Sequence, residues 1–422
     1  MLERPQTFGS ALRRARLSAG LTLAQLSDRV HYSKGQLSKV ETGHKRPTEE
    51  LARLCDGQLD ADGVLLALLP RPASTDNAAG GPEYAGSPPR PHTVGRRDVM
   101  TTGMASALGL AAFGGTAAPQ GTADGTLLDV WQSLFDQFRR LGQSAPPAAV
   151  LPALAEQTRA LRALAARSGP RTGRCLIALC ARYAEFAGWM AQESGDVPAA
   201  QRWTDHAVDL ADAAGETELA SYALVRRGLI AYYKGDAADT IALARAVPSR
   251  GTPARVLGLA AQREAQGHAL TGDYGACMRA LDRARVHLSH DAMDTDRPVL
   301  GTTHLADPVA MVTAWSLLDL GRPVQAAAAL DTEMAHIPPG ALRTRARYGT
   351  RQALAHALSG EIRHACELSA QLMDAAHLVD SSTIAHDLRR LARVLGRHPS
   401  HPSVHELSPL LTFVLSPASP LS

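Results

Sequence analysis

The sequence predicts an all-α chain, and three observations carry that prediction. Two helix-capping signatures, Thr22-x-x-Gln25 and Ser33-x-x-Gln36, stand eleven residues apart near the start. A glycine followed by a polar residue recurs at Gly195, Gly235, Gly272, Gly321 and Gly360, at steps of 40, 37, 49 and 39 residues. Aromatic residues make up only 4% of a chain rich in Ala and Leu, a composition that packs as helices.

The first helix runs from Phe8 to Ala19, with Phe8, Leu12 and Ala15 on one face. The capping box at Thr22 opens the next helix, whose Leu23, Leu26 and Val30 form one buried stripe. Ser33 opens a third, with Leu37 and Val40 turned inward and Gly43 placed for a left-handed stop. Only His31 and Tyr32 separate the two, which makes a helix–turn–helix. Thr48 caps a fourth helix, with Glu49 and Glu50 in the first turn where the helix dipole favours acids. Asp60 or Asp62 starts a fifth, ended by Pro70.

The third helix, 33–42, turns Lys34, Gln36, Ser38 and Lys39 outward, the chemistry a helix needs in the major groove. Lysine can reach a guanine edge or a phosphate, and glutamine can bond adenine. Gly35 lets the helix start approach a DNA backbone, where free N–H groups can meet phosphate. The chain has four lysines, and three of them, Lys34, Lys39 and Lys45, lie in or just after this helix.

Residues 8–69 resemble the Xre/Cro-type, lambda-repressor-like DNA-binding domains, through FGSALRRARLSAGLT at the first helix and LSKVETGHKRP after the recognition helix. The resemblance implies base reading at Lys34, Gly35 and Lys39. It implies phosphate contacts at Thr22, Ser33, Lys45 and Arg46, and a buried ion pair between Arg16 and Glu41. Leu23 stands where the family usually has a glutamine.

Charge supports one nucleic-acid surface. Net charge is +3, but residues 1–56 alone carry +4. The five cysteines (Cys55, Cys175, Cys180, Cys277, Cys366) include no C-x-x-C, and Cys175 and Cys180 read as core residues of an apolar helix. A reducing compartment follows; the Arg-over-Lys, Ala-rich composition suggests a bacterial source, and the DNA-binding reading implies a cytoplasmic protein on the nucleoid.

Residues 71–126 are rich in Pro, Gly, Ala and Ser and read as a flexible linker between a 1–70 head and a 127–422 body. Within it, Arg96-Arg97 precedes a weakly apolar stretch to residue 119 that looks like a twin-arginine export signal. The run sits about a hundred residues inside the chain. It is also shorter than the ~20 residues a bilayer span needs, so no membrane partner is expected.

In the body, a small residue stands seven before each recurring glycine (Gly188, Gly228, Ala265, Ala314, Ala353). Another stands five after it (Ala200, Thr240, Cys277, Ala326, Ala365). Small residues at these offsets let antiparallel helices approach closely. The pattern resembles degenerate tetratricopeptide repeats over about 127–395, which implies an α-solenoid with a concave face. That face would present Arg182, Glu185, Trp189, Gln192, Tyr222, Tyr232 and Tyr233, then Gln262, Gln266, Trp315 and Arg347. Aromatics and amides there suit a peptide, a small amphipathic molecule or a protein. The peptide-gripping asparagines of such repeats are missing, since the one Asn is Asn77 in the linker.

No phosphate-binding loop, nucleophile elbow or zinc-protease motif occurs, so an enzyme, a cofactor and a metal site are not expected. His398, His401 and His405 lie in a proline-containing stretch that reads as loose, with no cysteine close by. The apolar run 407–415 either forms a homodimer interface or caps the last repeat. The reading is a one-component transcription regulator that binds a double-stranded DNA operator as a homodimer, modulated through its body. The alternative is a DNA-targeted scaffold whose body recruits a partner.

Overall fold

The computed structural model describes residues 7–70, 120–289 and 299–416, with side chains from residue 125 in the second of these. Regular structure among the described residues is entirely helical. The twin-arginine-like segment and Asn77 lie outside them.

The head comprises α1 (Phe8–Ser18), α2 (Leu23–Val30), α3 (Lys34–Glu41), α4 (Glu49–Gln58) and α5 (Val64–Ala67). The capping box at Thr22 is complete. Its hydroxyl accepts from the Gln25 amide at 3.2 Å, and the Gln25 side chain accepts from the Thr22 amide at 2.8 Å. Ser33 makes only half of one, accepting from the Gln36 amide at 3.2 Å while the Gln36 side chain stays turned outward. Thr48 caps α4, and Gly43 takes a left-handed φ of +77°.

The fifth helix corrects the expectation from sequence. Neither Asp60 nor Asp62 caps it; both sit in the left-handed region. Asp56, at the end of α4, supplies the cap instead. Its carboxylate accepts from the amides of Gly63, Leu65 and Leu66 at 2.9, 3.1 and 3.2 Å.

The body opens with α6 (Gln120–Ser144), α7 (Pro147–Ala165), α8 (Pro170–Glu193) and α9 (Val197–Ala214). It continues through α10 (Glu218–Tyr233), α11 (Ala237–Arg245), α12 (Ala254–Thr271) and α13 (Tyr274–Ser289). Then come α14 (Pro308–Asp319), α15 (Pro323–Met334), α16 (Leu342–Leu358), α17 (Ile362–Val379), α18 (Ser382–Leu395) and α19 (Pro402–Leu415). Each recurring glycine turns one hairpin: α8–α9, α10–α11, α12–α13, α14–α15 and α16–α17. The ten small residues flanking them are all buried, and the eight that carry a side chain are wholly inaccessible. A Cβ on Gly188 would come within 3.3 Å of the Trp203 Cβ. Helices that meet this closely tolerate little more than a methyl group there.

The longest step, between Gly272 and Gly321, has a structural use. The described part of its extra length, 299–305, crosses the inner face between α6 and α12. Arg139 donates to the carbonyls of Val299 and Gly301, both at 3.1 Å, and Arg255 to those of Leu300 and Thr302 at 2.7 and 3.0 Å.

Two smaller expectations change. Cys175 is exposed, whereas Cys180 is buried. His401 and His405 stand at the cap and in the first turn of a helix rather than in a loose stretch, because Pro402 occupies its first position, where a missing N–H costs nothing. Among the described residues no group of His, Cys, Asp and Glu could hold a metal ion. The run 407–415 packs Leu407 and Leu411 inward and leaves Leu410 and Phe413 outward.

Head and body share one apolar core. Leu26, Leu37, Leu54 and Leu65 belong to the same cluster as Trp315, Leu358, Leu391 and Leu411. The seats are three successive glycine turns. Gly63 meets Thr271 and Gly272, Gly57 and Arg53 meet Leu320 and Gly321, and the His31 ring covers Gly360. At Gly321, with φ of +70°, an added Cβ would run into the Arg53 carbonyl, so only glycine fits both the turn and the approach.

Candidate DNA-reading face and inner cavity

α3 stands on a bidentate ion pair. Arg16 Nε donates to Glu41 Oε1 at 2.6 Å and Nη2 to Oε2 at 2.8 Å. A third bond, from Nη1 to the Leu21 carbonyl at 2.9 Å, fixes the guanidinium to the turn before α2. Both side chains are almost fully buried, so α1, α2 and the end of α3 are locked by charge-assisted bonds.

The outer side of α3 is open. Thr22, Ser33, Lys34, Gly35, Gln36, Lys39, Lys45 and Arg46 are exposed, and Ser38 is half-buried. Nothing lies within 4 Å of where a Gly35 Cβ would be, so a phosphate backbone could approach. The head docks through α4, α5 and the end of α2, which leaves this side facing away from the seam.

The body encloses a cavity of about 170 Å³ beneath the 299–305 segment. Of the concave-face residues expected from sequence, Arg182, Glu185, Trp189, Tyr222, Tyr233, Gln262, Trp315 and Arg347 line it. Gln192, Tyr232 and Gln266 do not. Gln192 accepts from Arg226 at 2.9 Å behind the wall, and Gln266 is wholly buried. Sequence reasoning missed Arg139, Phe135 and Phe186, which come from α6 and the middle of α8, and Arg226, Arg263 and Tyr348. The long step before Gly321 was the one available signal of a covered face.

Most charges here are paired. Arg182 meets Glu216 and Glu218 at 3.4 and 3.1 Å, and Arg226 meets Glu185 at 3.5 Å. Glu193 takes Arg343 at 3.1 Å, Arg347, and the Ser381 hydroxyl at 2.6 Å. Burial alone would raise the Glu193 pKa; Arg347, Arg343 and Ser381 override it and hold it at about 2. Burial instead raises the Glu185 carboxyl, against Arg226, Arg139 and Arg182.

Bonds run from the cavity wall to the head. Trp315 Nε1 donates to Tyr232 Oη at 2.6 Å, and Tyr232 Oη donates to Asp319 Oδ2 at 2.5 Å. Asp319 Oδ1 takes Arg390 Nη1 at 3.0 Å, and Arg390 Nε reaches Glu50 of α4 at 3.0 Å. Arg53 of α4 donates to the Asp319 carbonyl at 2.9 Å.

Residues 7–69 match the family model of the helix-turn-helix domain. Over 63 residues the chain is 41% identical to the transcriptional regulator ClgR of Mycobacterium tuberculosis, in strains CDC 1551 and H37Rv. That stretch is 14% of this chain and 56% of each relative, so the chain spans about half the length of the curated proteins it matches. No solved structure matches. The head is thus a helix–turn–helix domain, and the body is a helical domain of stacked hairpins.

Proposed function

We propose that this protein is a sequence-specific transcription regulator whose α3 enters the major groove of a double-stranded operator. Lys34, Gln36 and Lys39 meet base edges there, while Thr22, Ser33, Lys45 and Arg46 hold the phosphates. The observation that supports this most is the direction of docking. The head docks on the body through α4, α5 and the end of α2 and leaves the lysine-bearing side of α3 open. The likeness to a transcriptional regulator over the same residues agrees with it.

In this reading the tetratricopeptide-like body is a sensor. Its cavity supports that role, as does the bonded series Trp315–Tyr232–Asp319–Arg390–Glu50, which joins the cavity wall to α4. A ligand that moved Trp315 would change what holds the head. The protein works as a homodimer in the cytoplasm, since one small reader covers only half of a two-fold operator. The outward Leu410 and Phe413 of α19 are the surface we assign to the second copy.

Selection from a random duplex library by the full-length protein tests the DNA reading. One enriched motif that relaxes in Lys39→Ala supports it. No enrichment above non-specific binding overturns it.

A further inference from the structure

A sensor body needs a ligand, and the chemistry of that ligand, which rests on the sensor reading, is written in the cavity wall. Arg263 of α12 lines the cavity and is 9% exposed. Its Nε and Nη1 make no hydrogen bond, and no carboxylate among the described residues lies within ion-pair reach of it. The other lining arginines are provided for. Arg182, Arg226 and Arg347 have glutamates, and Arg139 has carbonyls.

The groups that act on Arg263 are tyrosines: Tyr348, Tyr222, Tyr233 and Tyr232. Burial holds its guanidinium below the ordinary value. A buried cation without a counter-charge is strongly unfavourable, and a folded chain rarely keeps one without a use.

The rest of the wall sets the shape of what fits. Seven of the chain's eighteen aromatic side chains line this one cavity, against a background of 4%. Their faces suit a flat ring. At about 170 Å³ the cavity has room for a small molecule and not for an extended peptide. Glu185 also lines it, which disfavours a ligand of high negative charge.

We propose that the cavity binds a small aromatic monoacid, its carboxylate on Arg263 and its ring among Trp315, Tyr233, Tyr348 and Trp189. The carboxylate supplies the counter-charge that the protein withholds. The ring rests against Trp315, the first member of the bonded series to the head.

Calorimetric titration and thermal melting of the full-length protein test this, with benzoate, 2-naphthoate and indole-3-acetate set against their primary amides. We expect at least one acid to bind and raise Tm, with its amide at least tenfold weaker. Arg263→Met should melt at or above the wild-type temperature without ligand, because it removes an unpaired buried charge, and should lose the preference for acid over amide. Arg263→Lys should keep that preference. Equal binding of acid and amide, binding by none of the acids, or a Tm of Arg263→Met well below wild type would each overturn the proposal. Acid binding that leaves operator affinity unchanged would uphold the site and remove the sensor reading alone.

Discussion

Arg390 of α18 and Glu50 of α4 meet at 3.0 Å across 340 residues of chain, and the same guanidinium holds Asp319 at 3.0 Å. Burial alone would raise the Glu50 carboxyl, yet Arg390 and Arg53 keep it below its ordinary value. One arginine thus joins the body's bonded series to the helix–turn–helix head.

Removing that arginine leaves two carboxylates short of a partner. Arg390→Ala should cost about 3 kcal/mol at the seam, the scale for a largely buried pair that loses one member. Calorimetry should then resolve a separate head transition in the variant, and a single transition in the wild type, whose head and body share one core. A single unchanged transition would mean the seam does not depend on this ion pair.

Glu41→Ala should destabilise the head by roughly 3–5 kcal/mol, since Arg16 would keep its charge and lose both bidentate bonds. Chemical denaturation followed by far-UV circular dichroism measures it. Denaturation at the wild-type midpoint would show that the three helices hold without the pair.

Glu193 should make the body acid-sensitive. Its folded pKa of about 2 lies below the ordinary 4.5. A depressed carboxylate stabilises fully above the unfolded pKa and loses that contribution as pH falls through the folded one. The window is therefore about pH 4.5 down to 2, for roughly 3 kcal/mol in all. Glu193→Gln should flatten the stability–pH curve there while lowering stability at pH 7. The same curve in both proteins would sink this assignment.

Much of the head was legible because its signals are local. The Thr22 box, the turn at His31–Tyr32 and the glycine stop after α3 each act within a few residues. The fifth helix was misread because Asp56 caps it from seven residues away, beyond the reach of a capping pattern. The body's hairpins were legible from glycine turns and the small residues around them, since close packing leaves a mark in residue size. Docking was not. The same glycines that turn the hairpins also seat the head, and one residue type cannot announce both uses. Arg263 was hidden for a related reason: an unpaired charge is defined by absent neighbours, which only the fold can place.

The central claim is that α3 reads DNA, and the most direct measurement is fluorescence anisotropy of the full-length protein on its selected duplex across a salt series. Log affinity against log salt should be steep for the wild type. In Lys34→Ala/Lys39→Ala, with the fold intact by circular dichroism, binding should weaken and the slope should fall by about one for each phosphate that no longer meets a lysine. Unchanged affinity and slope in the double variant would contradict the assignment of this helix.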